Sequence, residues 1–104
     1  MLPIAKMILD DLKNAHLLDH VRKIILFGSR ARGDADPRSD IDLAFDGEGI
    51  SQSEWLAILD TLEDCATLLK IDAIDYNVAS EELRQRINQE GVVIYEQQKN
   101  STEP

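Results

Sequence analysis

The chain has few of the features that mark secreted, membrane-spanning or nucleic-acid-binding proteins. Its single cysteine, Cys65, excludes an internal disulfide framework and fits a reducing compartment. No stretch approaches the roughly 20 apolar residues of a membrane helix, and Asp10 and Asp11 interrupt the segment where a signal peptide would be apolar. Only 11 Lys and Arg stand against 20 Asp and Glu, a net charge of −9, which argues against a general nucleic-acid binder. We expect a cytoplasmic protein with no membrane or direct nucleic-acid partner.

Hydrophobic spacing predicts four helices and four strands in the order α, β, short α, β, α, β, α, β. Apolar residues recur about every four positions near the N-terminus, which indicates a helix, and Ser51 with Glu54 is a capping-box signature for a later one. Ser80 and Gly91 are suited to begin and end the last helix. The strands are predicted over residues 24–27, 40–45, 70–78 and 92–95.

This order of elements predicts an α+β fold built on one small sheet. The 104 residues suffice for a single domain, with an open mixed sheet of about four strands and helices packed on one face. We place this domain at residues 1–96 and a polar C-terminal tail at 97–104. The other face of the sheet would then be available for chemistry.

Two acidic residues lie on that second face. In the second predicted strand Ile41, Leu43 and Phe45 alternate with Asp40 and Asp42, so both carboxylates point the same way, with Cα atoms about 7 Å apart. Paired carboxylates repel each other unless a cation is present, and an all-oxygen ligand set suits Mg²⁺. The alternative for an isolated pair of this kind is a solvated strand face.

A glycine and a serine follow the first predicted strand directly. Gly28 permits close approach of the backbone to an anion, and Ser29 offers a hydroxyl and an amide where a helix begins, which is typical of a phosphate-binding turn. Arg30, Arg32 and Arg38 add three positive charges nearby. Because Arg30 and Arg32 lie two apart on a helix, we expect at most one of them to meet a phosphate and the other to be a surface or salt-bridging group. Taken alone, the turn could equally be an ordinary strand-to-helix connection.

Together these residues resemble the nucleotidyltransferase superfamily typified by DNA polymerase β. Gly28-Ser29, ten residues and then Asp40-Ile41-Asp42 are similar to its G-S-x10-D-x-D signature. The fuller run from Gly28 to Leu43 resembles the minimal nucleotidyltransferases, the antitoxin half of two-gene systems whose toxin is a HEPN-domain ribonuclease. The resemblance implies that Ser29 helps to hold nucleotide phosphates and that Asp40 and Asp42 bind divalent metal.

The family also uses a third carboxylate on a neighbouring strand. Asp72 and Asp75 are the candidates, and because they lie three apart they point to opposite faces of a regular strand. The resemblance favours Asp72 as third metal ligand or general base, with Asp75 as the alternative.

The resemblance implies a metal-dependent protein adenylyltransferase. Two Mg²⁺ ions held by Asp40, Asp42 and Asp72 would clamp ATP, whose phosphates Gly28, Ser29, Arg30 and Arg38 would help to bind; these last four residues complete the predicted site. AMP would pass to a tyrosine of the HEPN toxin and silence it. Two alternatives stay open: an antitoxin that blocks the toxin by contact alone, and a nucleotidyltransferase acting on a small molecule.

Several other residues are set aside at this point. His16 and His20 lie four apart, but no carboxylate or cysteine pattern accompanies them, so a metal site there is not favoured. Cys65 fits a buried, inert thiol, and Trp55 fits core packing.

Overall fold

The elements follow one another in the predicted order. The computed structural model describes residues 3–33, 40–65 and 70–97. The elements are α1 (Pro3–Asn14), β1 (Val21–Phe27), α2 (Ser29–Arg32), β2 (Ile41–Gly47), α3 (Gln52–Cys65), β3 (Ile71–Asp75), a 3₁₀ turn (Tyr76–Val78), α4 (Glu81–Glu90) and β4 (Val92–Glu96). No helix in these ranges is long and apolar enough to cross a bilayer.

The four strands form one mixed sheet with the order β3-β2-β1-β4. β1 runs antiparallel to both β2 and β4, whereas β2 and β3 are parallel. This confirms the predicted α+β fold with a small open sheet. The backbone N–H of Gln97, the first residue of the predicted tail, still donates to the Arg22 carbonyl at 2.8 Å; the rest of that tail lies outside the described residues.

The main core lies between one face of the sheet and helices α1 and α3. The alternation predicted for β2 is confirmed, because Ile41, Leu43 and Phe45 all belong to this core. Trp55 contributes as expected, with its ring edge-on to Phe45 at a centroid distance of 5.6 Å. The central buried residues are Ile8, Leu12, Ile24, Leu26, Ile41, Leu43, Phe45, Ile58 and Leu62.

The last helix departs from the expectation that all helices share one face. Ile87 of α4 is fully buried against Ile25 and Ala44, whose side chains point away from the main core. Successive strand residues point to opposite faces, so α4 covers part of the face that also carries Asp42. Hydrophobic spacing identifies an amphipathic helix but not the side of the sheet on which it packs, which is why this was missed.

The residues that cap α3 and α4 were predicted correctly from the sequence. Ser51 and Glu54 form the predicted capping box, with reciprocal hydrogen bonds of 2.9 and 3.0 Å, and α3 begins there. The Ser51 N–H and then the His20 ring lower the pKa of Glu54, and His20 Nδ1 lies 2.7 Å from its carboxylate. Ser80 accepts from the Leu83 N–H at 3.1 Å and begins α4.

The third strand is shorter than predicted. The strand prediction ran from 70 to 78, but β3 ends at Asp75. The Asp75 side chain accepts a hydrogen bond from the Asn77 N–H at 2.9 Å and so caps the 3₁₀ turn that follows. Asp favours such local side-chain to backbone bonds over continued strand pairing, which is the physical reason for the early end.

Candidate nucleotidyltransferase site

The predicted phosphate-binding turn lies directly against one of the predicted metal ligands. Gly28 has φ +80° and ψ −157°, a backbone conformation that is essentially restricted to glycine. A Cβ added to Gly28 would collide with the carboxylate of Asp42. The contact arises because Phe27, the last residue of β1, is the antiparallel partner of Asp42 in β2. Strand pairing therefore closes the ten-residue separation in sequence.

Ser29 is the first residue of α2 and is half-buried. The turn is compact, since the Gly28 carbonyl accepts hydrogen bonds from the N–H groups of Ala31 and Arg32, both at 3.1 Å. Because α2 has only four residues, it contributes little of the macrodipole that a longer helix would offer to an anion. The close backbone approach at Gly28 is the more important property of this turn.

Near the start of β2, the negative charges of Asp72 and Asp40 act on the carboxyl group of Asp42. Asp42 and Asp72 are direct register partners on the parallel strands β2 and β3, so their side chains share a face. Asp40 immediately precedes β2 and is exposed. Burial, then the charges of Asp72 and Asp40, raise the pKa of the Asp42 carboxyl. The structure thus places Asp72 next to Asp42, and the charges of both Asp72 and Asp40 act on the Asp42 carboxyl.

The two candidates for the third carboxylate have different surroundings. Asp72 lies beside Asp42, is half-exposed, and has one oxygen 3.8 Å from Lys70 Nζ. Asp75 is paired in register with Phe45, a residue of the main core, and its carboxylate caps the 3₁₀ turn. The geometry therefore favours Asp72 over Asp75 as the third acidic residue of the site.

The arginines near the turn have separate roles. Arg32 forms an ion pair with Glu90 of α4 at 3.0 Å, so it fits the predicted salt-bridging group. Arg30 is half-buried within α2, and its contact with phosphate stays a prediction. Arg38, also predicted to bind nucleotide, lies outside the described residues.

Sequence reasoning missed one basic residue of this site, Arg86 of α4. The positive charge of Arg86 lowers the pKa of the Asp42 carboxyl and so opposes the rise described above. The effect of Arg86 is smaller than that of Arg32. The only signal in the sequence was an arginine on a predicted amphipathic helix. That signal does not indicate on which face of the sheet the helix packs.

The chemistry of the donor set fits a divalent cation. Within residues 3–33, 40–65 and 70–97, no group of three or more His, Cys, Asp and Glu side chains is gathered closely enough to hold a metal ion. The Asp42 carboxyl nonetheless experiences the repulsion of Asp72 and Asp40, and a divalent cation would relieve that repulsion. Carboxylate oxygens are the ligands that Mg²⁺ prefers.

The lone cysteine takes no part in this site. Cys65 is buried at the end of α3, and its Sγ donates to an Asp11 carboxylate oxygen at 2.9 Å. Burial and this hydrogen bond raise the pKa of the thiol to about 12. It is the inert thiol that the sequence predicted.

Comparison with known proteins places these features in one family. A family model described as polymerase beta nucleotidyltransferase matches residues 10–100. A crystal structure of a toxin–antitoxin with AMP-PNP is 26% identical with a TM-score of 0.65, and the match covers 90% of this chain and 74% of that chain. The toxin–antitoxin MntA-HepT is 23% identical with a TM-score of 0.56, over 86% and 72% of the two chains. A Shewanella oneidensis structure of a tri-AMPylated HEPN toxin with an MNT antitoxin is 22% identical with a TM-score of 0.55, over 91% and 76%. The search of curated proteins found no match.

The family match agrees with the fold and with the site. It spans most of the chain and includes the Gly28-Ser29 turn and the aspartates Asp40, Asp42 and Asp72. The solved structures below 25% identity share the fold. On these grounds the chain is a member of the polymerase beta nucleotidyltransferase family.

Proposed function

We propose that this protein is an antitoxin that transfers AMP from ATP to a tyrosine of a HEPN ribonuclease toxin and thereby inactivates it. Similar structures are described as toxin–antitoxin complexes, one with AMP-PNP and another with an AMPylated HEPN toxin. Within this chain, the observation that carries the proposal is the position of Asp42, against Gly28 on one side and next to Asp72 on the other. A phosphate-binding turn and an acidic cluster are the two parts that nucleotidyl transfer requires.

The proposal assigns a role to each predicted residue. Gly28 and Ser29 bind phosphate through the backbone and the hydroxyl, and Arg30 and Arg38 supply positive charge. The carboxylates Asp40, Asp42 and Asp72 would hold Mg²⁺. When bound, Mg²⁺ neutralises part of the triphosphate charge and lowers the pKa of the attacking hydroxyl.

The proposed step is an in-line displacement at the α-phosphorus. The tyrosine oxygen of the toxin forms the new O–P bond while the bond to the β-phosphate oxygen breaks, and pyrophosphate leaves. Asp72 is half-exposed, with 48% of its side chain accessible, so it can accept the tyrosine proton if it does not serve as a ligand. The rest of the acceleration comes from positioning and charge neutralisation.

The direct test is AMP transfer with purified proteins. The wild-type protein is incubated with Mg²⁺, ATP labelled at the α-phosphate and a HEPN toxin from the same genome, and label on the toxin is measured. The double variant Asp40→Asn, Asp42→Asn is compared with Asp60→Asn, a matched control because Asp60 is exposed on α3, which packs on the opposite face of the sheet. We expect wild type and the Asp60 variant to label a toxin tyrosine and the double variant to be inactive.

The same proteins separate the two alternatives. If the double variant suppresses the ribonuclease activity of the toxin as well as wild type does, suppression occurs by contact, and the catalytic proposal is wrong. If wild type transfers AMP to an added small-molecule hydroxyl but not to the toxin, the acceptor has been misassigned.

A further inference from the structure

The basic residue that sequence reasoning missed lies on the helix nearest to the site. α4 packs on the sheet face that carries Asp42, and its buried residue Ile87 belongs to the same apolar cluster as Ala44, two positions along β2 from Asp42. Residues two apart on a strand point to the same side. Arg86, which precedes Ile87, therefore projects from a helix anchored close to the acidic cluster.

The helical repeat directs Arg86 toward the phosphate-binding turn. Residues four apart on a helix lie on the same side, one turn apart, so Arg86 shares a side of α4 with Glu90. Glu90 is ion-paired to Arg32 at 3.0 Å, and Arg32 ends α2, which begins at Ser29. Arg86 thus lies on the side of α4 that faces the turn.

The Arg86 guanidinium has no ion-pair partner among the described residues, unlike that of Arg32. Arg32 is engaged with Glu90. Arg86 is exposed, and over the described ranges it makes no ion pair, so its guanidinium is available to a ligand.

We propose that Arg86 binds the terminal phosphates of the nucleoside triphosphate. This inference rests on the proposed function and adds a substrate contact to it. The turn at Gly28, which the proposed function assigns to phosphate binding, lies against the Asp42 carboxylate, and Arg86 approaches that turn from a separate helix, α4. In a protein of net charge −9, a further cation near three aspartates favours binding of a triphosphate, and guanidinium groups match phosphate geometry.

The experiment measures nucleotide binding without the partner. Dissociation constants for ATP and for AMP are determined calorimetrically in Mg²⁺ for wild type, Arg86→Gln, Arg86→Lys and Arg22→Gln. Arg22→Gln is the matched control, because Arg22 is also exposed and the substitution removes the same charge. Arg22 pairs with Asp46, near the end of β2 that is farther from Asp42. Thermal denaturation of each variant checks that the fold is unchanged.

We expect Arg86→Gln to weaken ATP binding about tenfold to hundredfold, the worth of a charge-assisted hydrogen bond. AMP binding and the melting temperature should be unchanged, Arg86→Lys should be intermediate, and Arg22→Gln should match wild type. Equal loss of ATP and AMP affinity, or no loss, would overturn the assignment of Arg86. Unchanged ATP affinity with loss of AMP transfer to the toxin would do the same, since Arg86 would then act on the partner. If wild type binds neither nucleotide, the proposed function fails and this inference fails with it.

Discussion

Replacing Asp42 by Asn should stabilise the protein while abolishing AMP transfer. Asn has nearly the same shape as Asp but carries no charge, so the substitution removes the burial cost of a carboxylate and its repulsion from Asp72 and Asp40, the causes that raise its pKa. Sites that concentrate like charge for function are commonly not optimal for stability.

The magnitude follows from the strand geometry. Asp42 and Asp72 are register partners on neighbouring strands, which lie about 4.8 Å apart, and at that separation two like charges repel by about 0.9 kcal/mol in a water-like dielectric. Asp72 is half-exposed, so solvent screening keeps the repulsion near this value. We expect Asp42→Asn to gain about 1 kcal/mol, a rise in melting temperature of about 5 °C for a domain of this size.

The gain should depend on pH in a defined direction. The folded-state pKa of Asp42 lies above its usual value of 3.8, so the wild-type group favours folding fully below pH 3.8 and loses that contribution as the pH rises through the folded-state pKa. The advantage of Asp42→Asn over wild type is therefore present at pH 7 and disappears as the pH falls below about 4.

The assay is thermal denaturation with a chelator present, at pH 7.5 and at pH 4, with Asp60→Asn as control for the loss of one negative charge. Asp60 is exposed on α3, so its variant should change the stability by no more than about 0.5 kcal/mol. The reasoning is refuted if Asp42→Asn melts at or below the wild-type temperature at pH 7.5, or if Asp60→Asn gains as much.

Three further predictions address the turn, a helix cap and the cysteine. Gly28→Ala should cost about 2 kcal/mol in the free energy of unfolding and eliminate AMP transfer, because the added Cβ meets Asp42 at a φ of +80°; denaturant titration and the transfer assay check this, and a stable, active variant would contradict it. Ser80→Ala should cost about 1 kcal/mol through loss of the bond to the Leu83 N–H, whereas Ser53→Ala, an exposed substitution on α3, should change stability by less than half of that. Cys65 should resist alkylation at pH 8 in the native state, because it is 5% exposed and its thiol pKa is about 12, and react at once in denaturant; mass spectrometry distinguishes the two. Because the pKa of the Cys65 thiol is raised, its contribution to folding stability is fully present below pH 9 and is lost as the pH rises toward 12.

The features of this protein that depend on local chemistry could be predicted from its sequence. The alternation through β2 fixed which face Asp40 and Asp42 take, since a strand has a side-chain period of two. The caps at Ser51 and Ser80 depend only on hydrogen bonds within three residues, and the structure confirms both. The turn at Gly28 could also be predicted from the sequence, because glycine is the residue that tolerates a positive φ of this kind.

The tertiary structure decided what depends on pairing between distant segments. Strand register placed Asp72 beside Asp42 and gave Asp75 a capping role, a choice that spacing alone could not make. The packing of Ile87 with Ile25 and Ala44 put α4, the helix that carries Arg86, on the same face as Asp42. An amphipathic pattern states that a helix has a side to bury but not which surface will bury it, because that is determined by the volume left between elements far apart in the chain.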